Sequence, residues 1–460
     1  MSTLSRKLFG TDGVRGEAGR FPLDAETLRT VGKSLAFHLR RRLGRIPVII
    51  VGRDTRESGG WLEQSLIEGA LEAGADCKSA GVITTPGVAF LARTLPADAG
   101  VVISASHNDY QDNGFKIFSP SGRKLDDATE RLIEADILAR TEKKPPAPDA
   151  EIRSQGEDLE SVLRSRYLEF LQHDIARGLS LKNQTLVVDA ANGAASALAP
   201  HLFKRLGASV VAINDKPDGR NINRDCGSLH IEALQQKVIA TGADIGVAFD
   251  GDADRSLFVD AKGRFVDGDA TMWVLGKYMH GRGQLNVGLV VATVMSNIGL
   301  EIALRSKGLR LMRTDVGDKY VLEALMRTGA SLGGEQSGHI IFPHLSLAGD
   351  GLITTLCLLR AVRDAGMPLH VLTEGFQRYP QVLVNVEVRE KRPFVEVEQI
   401  QKLVQETESQ LGDGGRLLLR YSGTEPLARV MIEGPNQAMI EAYARNLAVV
   451  IQQTLGAKQH

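Results

Sequence analysis

The sequence predicts an α/β protein with three similar α/β domains, whose sheets are mixed and mainly parallel, followed by a smaller C-terminal α+β domain. Short apolar runs alternate with longer segments of helical period over most of the chain, which is the pattern of βαβ units. After residue 368 the pattern changes, and Gln381–Val388 has apolar residues at every second position, as a half-exposed strand does. A length of 460 residues fits three or four domains.

The first domain is predicted over residues 1–154. Pro47–Gly52 and Gly100–Ser104 are apolar enough for buried strands, and Trp61–Ala73 between them has helical period. The segment Thr141–Pro148 is charged and rich in proline, so it cannot continue a helix. We therefore expect it to be the boundary or an exposed crossing between domains.

The next three domains are predicted over residues 155–255, 256–368 and 369–460. The elements predicted in the second domain are the strands Thr185–Asp189, Ser209–Ile213 and Asp244–Phe249 and the helix Ala195–Leu206. Those predicted in the third are the strands Gly288–Thr293 and Leu309–Arg313 and the helices Leu300–Ser306 and Tyr320–Met326. The tail adds the strands Leu417–Leu419 and Ala428–Ile432.

Composition excludes several classes of protein. There are 55 Lys and Arg against 56 Asp and Glu, so no overall basic field is available to bind nucleic acid. The three cysteines, Cys77, Cys226 and Cys357, lie too far apart for a zinc knuckle or a disulfide framework, and a reducing cytoplasm fits best. Neither a signal peptide nor an apolar run of about 18 residues is present, so we expect no export and no membrane partner.

Three carboxylates at alternate positions, Asp250, Asp252 and Asp254, directly follow an apolar strand. Anions this close together need a cation, and carboxylate oxygens favour Mg²⁺ over zinc. The alternative is a solvated acidic turn. An EF-hand is excluded, because its sixth position requires Gly and its twelfth Glu, whereas Arg255 and Ala261 stand there.

A second polar loop, Ser104–Asn108, follows another buried strand, which is where ligands bind in open α/β sheets. A serine in this loop could be a nucleophile if a base, a metal or a phosphate already on it activates it, and His107 and Lys116 are candidates to move protons. An ordinary Ser/Asn turn explains the same run of residues equally well.

Three further loops have the chemistry of sugar or anion binding. Glu335, Ser337 and His339 stand between glycines and could hold sugar hydroxyls, although a glycine-rich surface turn is the alternative. In the tail, the groups that could form a phosphate nest are Arg420, Ser422, Gly423, Thr424 and Arg429; the alternative there is a plain hairpin turn. Near the start, Gly10–Gly16 could aim Arg15 at an anion.

Taken together, the five loops in this order resemble those of the α-D-phosphohexomutase superfamily, over nearly the whole chain. The matching segments are Gly10–Gly16, Ser104–Asn108, Asp250–Arg255, Gly334–His339 and Arg420–Pro426. The resemblance implies four domains around a central cleft and a phosphoserine at Ser106, whose phosphate ligates Mg²⁺ together with Asp250, Asp252 and Asp254. It further implies that Glu335 and Ser337 recognise the hexose, and that the tail loop holds the phosphate that is not being transferred.

The function implied by this resemblance is the interconversion of glucosamine 6-phosphate and glucosamine 1-phosphate through a glucosamine 1,6-bisphosphate, which supplies UDP-N-acetylglucosamine synthesis. Lys116, His107 and Arg255 are the candidates for proton transfer and charge support. Gln336 favours the glucosamine branch, because phosphomannomutase/phosphoglucomutase relatives usually have Met there. That branch, a metal-dependent sugar phosphatase and a non-catalytic sugar-phosphate sensor are the alternatives, and a homodimer is a family-level expectation.

Overall fold

The computed structural model describes residues 8–10, 12–139, 157–422 and 425–456. The predicted linker Thr141–Pro148 lies outside them. In the first domain the elements are β1 (Val14–Glu17), α1 (Ala25–Leu43), β2 (Val48–Arg53), α2 (Gly59–Glu72), β3 (Asp76–Val82), α3 (Thr85–Thr94), β4 (Ala99–Ile103), β5 (Asp112–Phe118) and α4 (Asp127–Leu138). The sheet order is β1-β5-β4-β2-β3, with β2 parallel to β3 and β4.

Side chains of the sequence fix the ends of these helices. Asp24 precedes α1 and accepts a hydrogen bond from Thr27 N at 2.9 Å, which satisfies one of the free amides of the first turn. Gly44 ends α1 in a left-handed conformation, φ 68°. Thr84 caps α3 in the same way as Asp24, with Oγ1 accepting from Gly87 N at 3.1 Å.

The second sheet has the order β10-β9-β8-β6-β7. The elements here are α5 (Glu157–Glu169), β6 (Thr185–Asp189), α6 (Ala195–Arg205), β7 (Ser209–Ile213), α7 (Glu232–Thr241), β8 (Ile245–Phe249), β9 (Ser256–Asp260) and β10 (Phe265–Val266). Strand β8 is parallel to β6, and β9 returns antiparallel to β8. The sheet thus continues beyond the predicted domain boundary at residue 255. We propose that the second domain ends at Val266, because β9 and β10 belong to the same hydrogen-bonded sheet as β8.

In the third domain the elements are α8 (Gly268–Gly281), β11 (Leu289–Thr293), α9 (Ile298–Arg305), β12 (Arg310–Thr314), α10 (Asp318–Thr328), β13 (Leu332–Gly334), β14 (Ile340–Ile341), α11 (Gly351–Ala365) and α12 (Leu369–Leu372). Strand β11 is parallel to both β12 and β13, and β14 is antiparallel to β13. The fourth domain has β15 (Gln381–Glu387), α13 (Glu398–Leu411), β16 (Arg416–Tyr421), β17 (Leu427–Glu433) and α14 (Gln437–Leu455), with an antiparallel sheet β15-β17-β16.

This architecture confirms the predicted fold class of three α/β domains and an α+β tail. One apolar cluster runs through the first three domains and includes Ile50, Phe203 and Trp273, whereas the fourth domain has a separate core around Ile400 and Leu447. The first three domains are therefore packed as one body that supports the loops at their strand ends. Among the described helices, none has the length and apolar character needed to cross a bilayer.

Candidate active site

Two loops from different sheets meet at the centre of the molecule. Ser106 lies shortly after β4, and Asp250 directly follows β8. Both strands end toward the same cleft, so the two residues meet there. The hydroxyl of Ser106 donates a hydrogen bond from Oγ to Asp250 Oδ2 at 2.6 Å, although 144 residues separate them in sequence. Both side chains are buried. The serine loop and the acidic loop therefore form one site.

The acidic loop has the donor set of a metal site. Each of Asp250, Asp252 and Asp254 is buried and offers one carboxylate oxygen, and these three oxygens lie within 4.8 Å of one another. Asp252 Oδ1 is buried and has no hydrogen-bond partner among the described residues. Burial, followed by the charges of Asp254 and Asp252, raises the pKa of Asp250 well above its usual range. Hard oxygen donors with excess negative charge fit a Mg²⁺ ion.

Lys116, on β5, is a buried cation beside this loop. Its Nζ lies 3.3 Å from Asp252 Oδ2, 3.3 Å from Asp254 Oδ2 and 3.1 Å from Asp12 Oδ1. Burial alone would lower the pKa of Lys116, but these three carboxylates outweigh burial and raise it well above its usual value. Lys116 therefore stays an ammonium group, which favours charge support over acceptance of a proton.

The two histidines of the prediction have opposite environments. His107 Nδ1 lies 3.3 Å from Ser106 Oγ, and burial, with Arg255 and Arg15, lowers the pKa of His107 to about 4. His107 is thus neutral near pH 7 and can accept a proton. The pKa of His339 is raised to about 9, because Asp254, 3.5 Å from Nδ1, and Asp318 outweigh the effect of burial.

Two arginines border the same cleft. Arg255 donates from its backbone N to Asp250 Oδ1 at 3.1 Å, and its buried Nε has no hydrogen-bond partner among the described atoms. Arg15 contacts Asp12 and donates from Nη1 to Asn108 Oδ1 at 3.2 Å. Both guanidinium groups therefore stand beside Ser106's loop, where an anion would be bound.

The sugar loop follows β13. Glu335 accepts a hydrogen bond from Gly317 N on Oε1 at 3.1 Å, and Ser337 is half-buried. His339, two residues further on, is directed at Asp254 and Asp318 and lines a cavity of 680 Å³ between the first and third domains, together with Lys116. Glu335 and Ser337 remain the candidates for hexose hydroxyls, while His339 joins this loop to the acidic loop.

The tail loop forms a separate cluster. Arg420 and Arg429 are register partners on β16 and β17, and Arg429 Nη2 donates to Ser422 Oγ at 3.3 Å. Lys391 Nζ donates to Ser422 O at 2.6 Å, which adds a cation that sequence analysis did not identify. Gly423 and Thr424 lie outside the described residues. Within the described part of the chain, this cluster makes no hydrogen bond to the serine or acidic loop.

Several residues around the serine loop were missed by the sequence analysis. Asp54 accepts from Ser104 Oγ at 2.7 Å, and Ser104 Oγ in turn accepts from Ser106 N at 2.9 Å. Thr85 donates to Asp252 Oδ2 at 2.6 Å. Asp54 directly follows β2 and Thr85 follows β3 closely, so the rule that polar residues after buried strands form sites would have identified them. Asp12 lies within the loop Gly10–Gly16 that the sequence analysis identified, but no role was predicted for its side chain.

Comparisons with known proteins agree with this arrangement. Family models described as Phosphoglucomutase/phosphomannomutase match residues 6–144 (alpha/beta/alpha domain I), 165–263 (domain II), 267–379 (domain III) and 383–449 (C-terminal domain). The solved structure of a Phosphoglucomutase/phosphomannomutase family protein from Burkholderia thailandensis superposes with a TM-score of 0.78 at 26% identity, covering 97% of each chain. An Aspergillus fumigatus N-acetylphosphoglucosamine mutase shares the fold, with a TM-score of 0.63 at 19% identity, over 97% of this chain and 95% of its own.

Among curated proteins, the phosphoglucosamine mutase of Solibacter usitatus is 48% identical over 457 residues, which cover 98% of this chain and 100% of the relative. The phosphoglucosamine mutase of Myxococcus xanthus is 46% identical over 98% of both chains. Identity of this extent, over all four domains, confirms the resemblance identified from the five loops. The chain therefore belongs to the phosphoglucosamine mutase family of the α-D-phosphohexomutase superfamily.

Proposed function

We propose that this chain interconverts glucosamine 6-phosphate and glucosamine 1-phosphate by phosphoryl transfer, and is thus an isomerase of amino sugar metabolism. The observation that carries the proposal is the 2.6 Å hydrogen bond between Ser106 Oγ and Asp250 Oδ2, because it brings a nucleophilic oxygen against a buried cluster of three carboxylates. Membership of the phosphoglucosamine mutase family supports the choice of substrate.

In the proposed cycle, Ser106 carries a phosphoryl group on Oγ and transfers it to the free hydroxyl of glucosamine 6-phosphate. The P–Oγ bond breaks, a P–O bond to C1 forms, and the product is glucosamine 1,6-bisphosphate. After this bisphosphate turns around in the cleft, Ser106 Oγ attacks the 6-phosphate, takes that phosphoryl group and releases glucosamine 1-phosphate. In the first transfer the sugar hydroxyl loses its proton as it attacks. In the second, the P–O6 bond breaks, the Ser106 hydroxyl loses its proton and the sugar oxygen O6 gains one. Neutral His107, 3.3 Å from Ser106 Oγ, is suited to accept these protons and return one to the departing oxygen.

The acidic loop would hold Mg²⁺ through Asp250, Asp252 and Asp254, with Ser106's phosphate as a further ligand. Mg²⁺ bound there supplies positive charge to the oxygens of the group being transferred. Lys116 and Arg255 add charge from the protein side, since both lie beside the same carboxylates.

A bisphosphate that turns around needs a second phosphate site. Arg420, Ser422 and Arg429 form that site in our proposal, with Gly423 and Thr424 as further contacts, while Arg15 lies beside the serine loop. Glu335 and Ser337 would bind the hexose hydroxyls in either orientation. A metal-dependent phosphatase would release phosphate once and would have no use for a second nest.

Mass spectrometry of the purified protein tests the proposal first. We expect one phosphate on the peptide Ser104–Lys116, and nearly complete loss of turnover in Ser106→Ala, because the acceptor oxygen is gone. A Ser106→Ala protein that keeps wild-type turnover, freed of bound bisphosphate, would contradict the proposal.

Turnover assays with several sugars then separate the alternatives. The proposed enzyme converts glucosamine phosphates faster than glucose or mannose phosphates, whereas a phosphomannomutase/phosphoglucomutase would show the reverse order. Release of inorganic phosphate in place of the isomer would identify a phosphatase, and binding without turnover a sensor. A cytoplasmic location and a homodimer stay predictions, and size-exclusion chromatography with light scattering tests the latter.

A further inference from the structure

Two buried side chains donate hydrogen bonds to backbone carbonyl oxygens of the serine loop. Arg56, 2% exposed, donates from Nη2 to Ser106 O at 3.0 Å and to Asn108 O at 2.8 Å, and its Nη1 contacts Asp109 O. Asn223, in the second domain, donates from Nδ2 to the same Ser106 O and Asn108 O, at 2.9 Å each. Three carbonyl oxygens of one loop are thus satisfied by two donor groups from two domains.

The position of Arg56 is itself fixed. Its Nε donates to Asp54 Oδ2 at 3.0 Å, and both side chains of this ion pair are completely buried. Asp54 also accepts from Ser104 Oγ, which supports Ser106 N. The carboxylate of Asp54 therefore orients the guanidinium and the serine loop together, as a buried ion pair does when its remaining donors and acceptors are satisfied.

Ser106 needs such support, because its backbone has φ 53°, in the left-handed region that residues other than glycine seldom adopt. This conformation directs Oγ at Asp250. A loop free to relax would turn Oγ aside, or would bring a carbonyl oxygen toward the dianionic group that Ser106 carries in the proposed cycle. Donors that occupy these carbonyl oxygens prevent that repulsion.

We propose that Arg56 and Asn223 are positioning residues for phosphoryl transfer, which hold Ser106 in its left-handed conformation and keep the carbonyl oxygens of its loop away from the transferring group. The inference rests on the proposed function. Because Asn223 belongs to the domain that carries the acidic loop, the same contact also sets the distance between Ser106 and the metal ligands.

Variants of both residues test the inference. In Asn223→Ala we expect kcat per folded molecule to fall about tenfold to a hundredfold, with KM for glucosamine 6-phosphate within about threefold of wild type, as for loss of orientation. Asn223→Asp should lower kcat further than Asn223→Ala does, because a carboxylate would face two carbonyl oxygens. Arg56→Lys keeps the charge but loses the planar set of donors, so we expect the same fall in kcat, with little change in KM, as in Asn223→Ala.

Arg220→Gln is the matched control, because Arg220 Nε pairs with Glu57 Oε2 at 2.6 Å across the same two domains without touching the serine loop. It should keep kcat within about twofold of wild type, as a surface pair does. Thermal unfolding and Ser106 phosphate occupancy are measured for every variant. Values of kcat in Asn223→Ala and Arg56→Lys within about threefold of wild type, or a rise in KM alone, would overturn the inference. Inactive wild-type protein would instead contradict the proposed function.

Discussion

Lys116 Nζ lies 3.3 Å from Asp252 Oδ2, which joins the sheet of the first domain to the acidic loop of the second. Only 2% of the lysine side chain is exposed, and Asp252 is completely buried. An ion pair at this depth has little water to screen it, so each partner depends on the other. The site is thus held together by charges that the domains supply to one another.

Loss of Lys116 should destabilise the protein. Lys116→Met removes a buried cation that faces Asp12, Asp252 and Asp254, and we expect the free energy of unfolding in EDTA to fall by about 3–5 kcal/mol. Urea denaturation measures this. The control is Lys319→Met, which removes a partly exposed pair with Asp127 and should cost about 0–1 kcal/mol. Equal losses in the two variants would show that burial of Lys116 has no energetic effect.

Removal of one acidic ligand should weaken metal binding. Asp252→Asn keeps the shape of the side chain but removes a charge, so we expect Mg²⁺ affinity by titration calorimetry to fall about tenfold or more. Compared with dephosphorylated wild-type protein, Ser106→Ala should retain most of the affinity, since the three carboxylates remain. Asp413→Asn, at a side chain 97% exposed, should leave it unchanged. Unaltered Mg²⁺ affinity in Asp252→Asn would place the ion elsewhere.

The fold and the central loops could be predicted because their signals are local. Strands such as Thr185–Asp189 are short apolar runs, and the polar loops that follow parallel strands lie at the same sheet edge. The three carboxylates at alternate positions in the acidic loop are enough to predict a metal site. Sequence alone predicts these features without any knowledge of how the domains pack.

The supporting contacts could not be predicted, because they depend on tertiary packing between distant segments. Nothing local distinguishes Asn223 from any other loop asparagine until the second domain is placed against Ser106. The orientation of His339 toward Asp254 has the same origin. The predicted boundary at residue 255 falls before β9 and β10, because these strands turn back antiparallel and no helix separates them from β8.

Close packing between the serine and acidic loops leaves no room for a methyl group at Gly251. A Cβ there would lie 2.5 Å from Ser106 O and 2.8 Å from Ile222 Cδ1. Gly251→Ala should therefore separate the two loops. We expect it to lower the free energy of unfolding by about 1–3 kcal/mol and kcat by about tenfold or more. Gly60→Ala, in α2 with nothing within 4 Å, should be neutral or stabilising. Wild-type kcat and unfolding midpoint in Gly251→Ala would contradict this packing.

Asp269 is a buried carboxyl where the third domain meets the fourth. Its Oδ2 accepts from Asn297 N at 2.8 Å, and Asn297 Nδ2 donates to Glu433 Oε1 at 3.1 Å. Burial, followed by the charge of Asp267, raises the pKa of Asp269 to about 7, while the hydrogen bond from Asn297 and the charge of Arg313 oppose the rise.

This raised pKa predicts how stability depends on pH. Between its unfolded pKa near 3.8 and its folded pKa of about 7, Asp269 binds a proton more tightly in the folded protein, so its contribution to stability declines as pH rises through that window. Asp269→Asn can still accept from Asn297 N but has no proton to lose. We therefore expect the stability of the variant relative to wild type to increase between pH 4 and pH 7, by about 1.4 kcal/mol for each unit of pKa shift, and to level off above pH 7. Urea denaturation across this range measures the difference, with Asp413→Asn as the exposed control. A difference that stays constant with pH would show that Asp269 titrates normally in the folded protein.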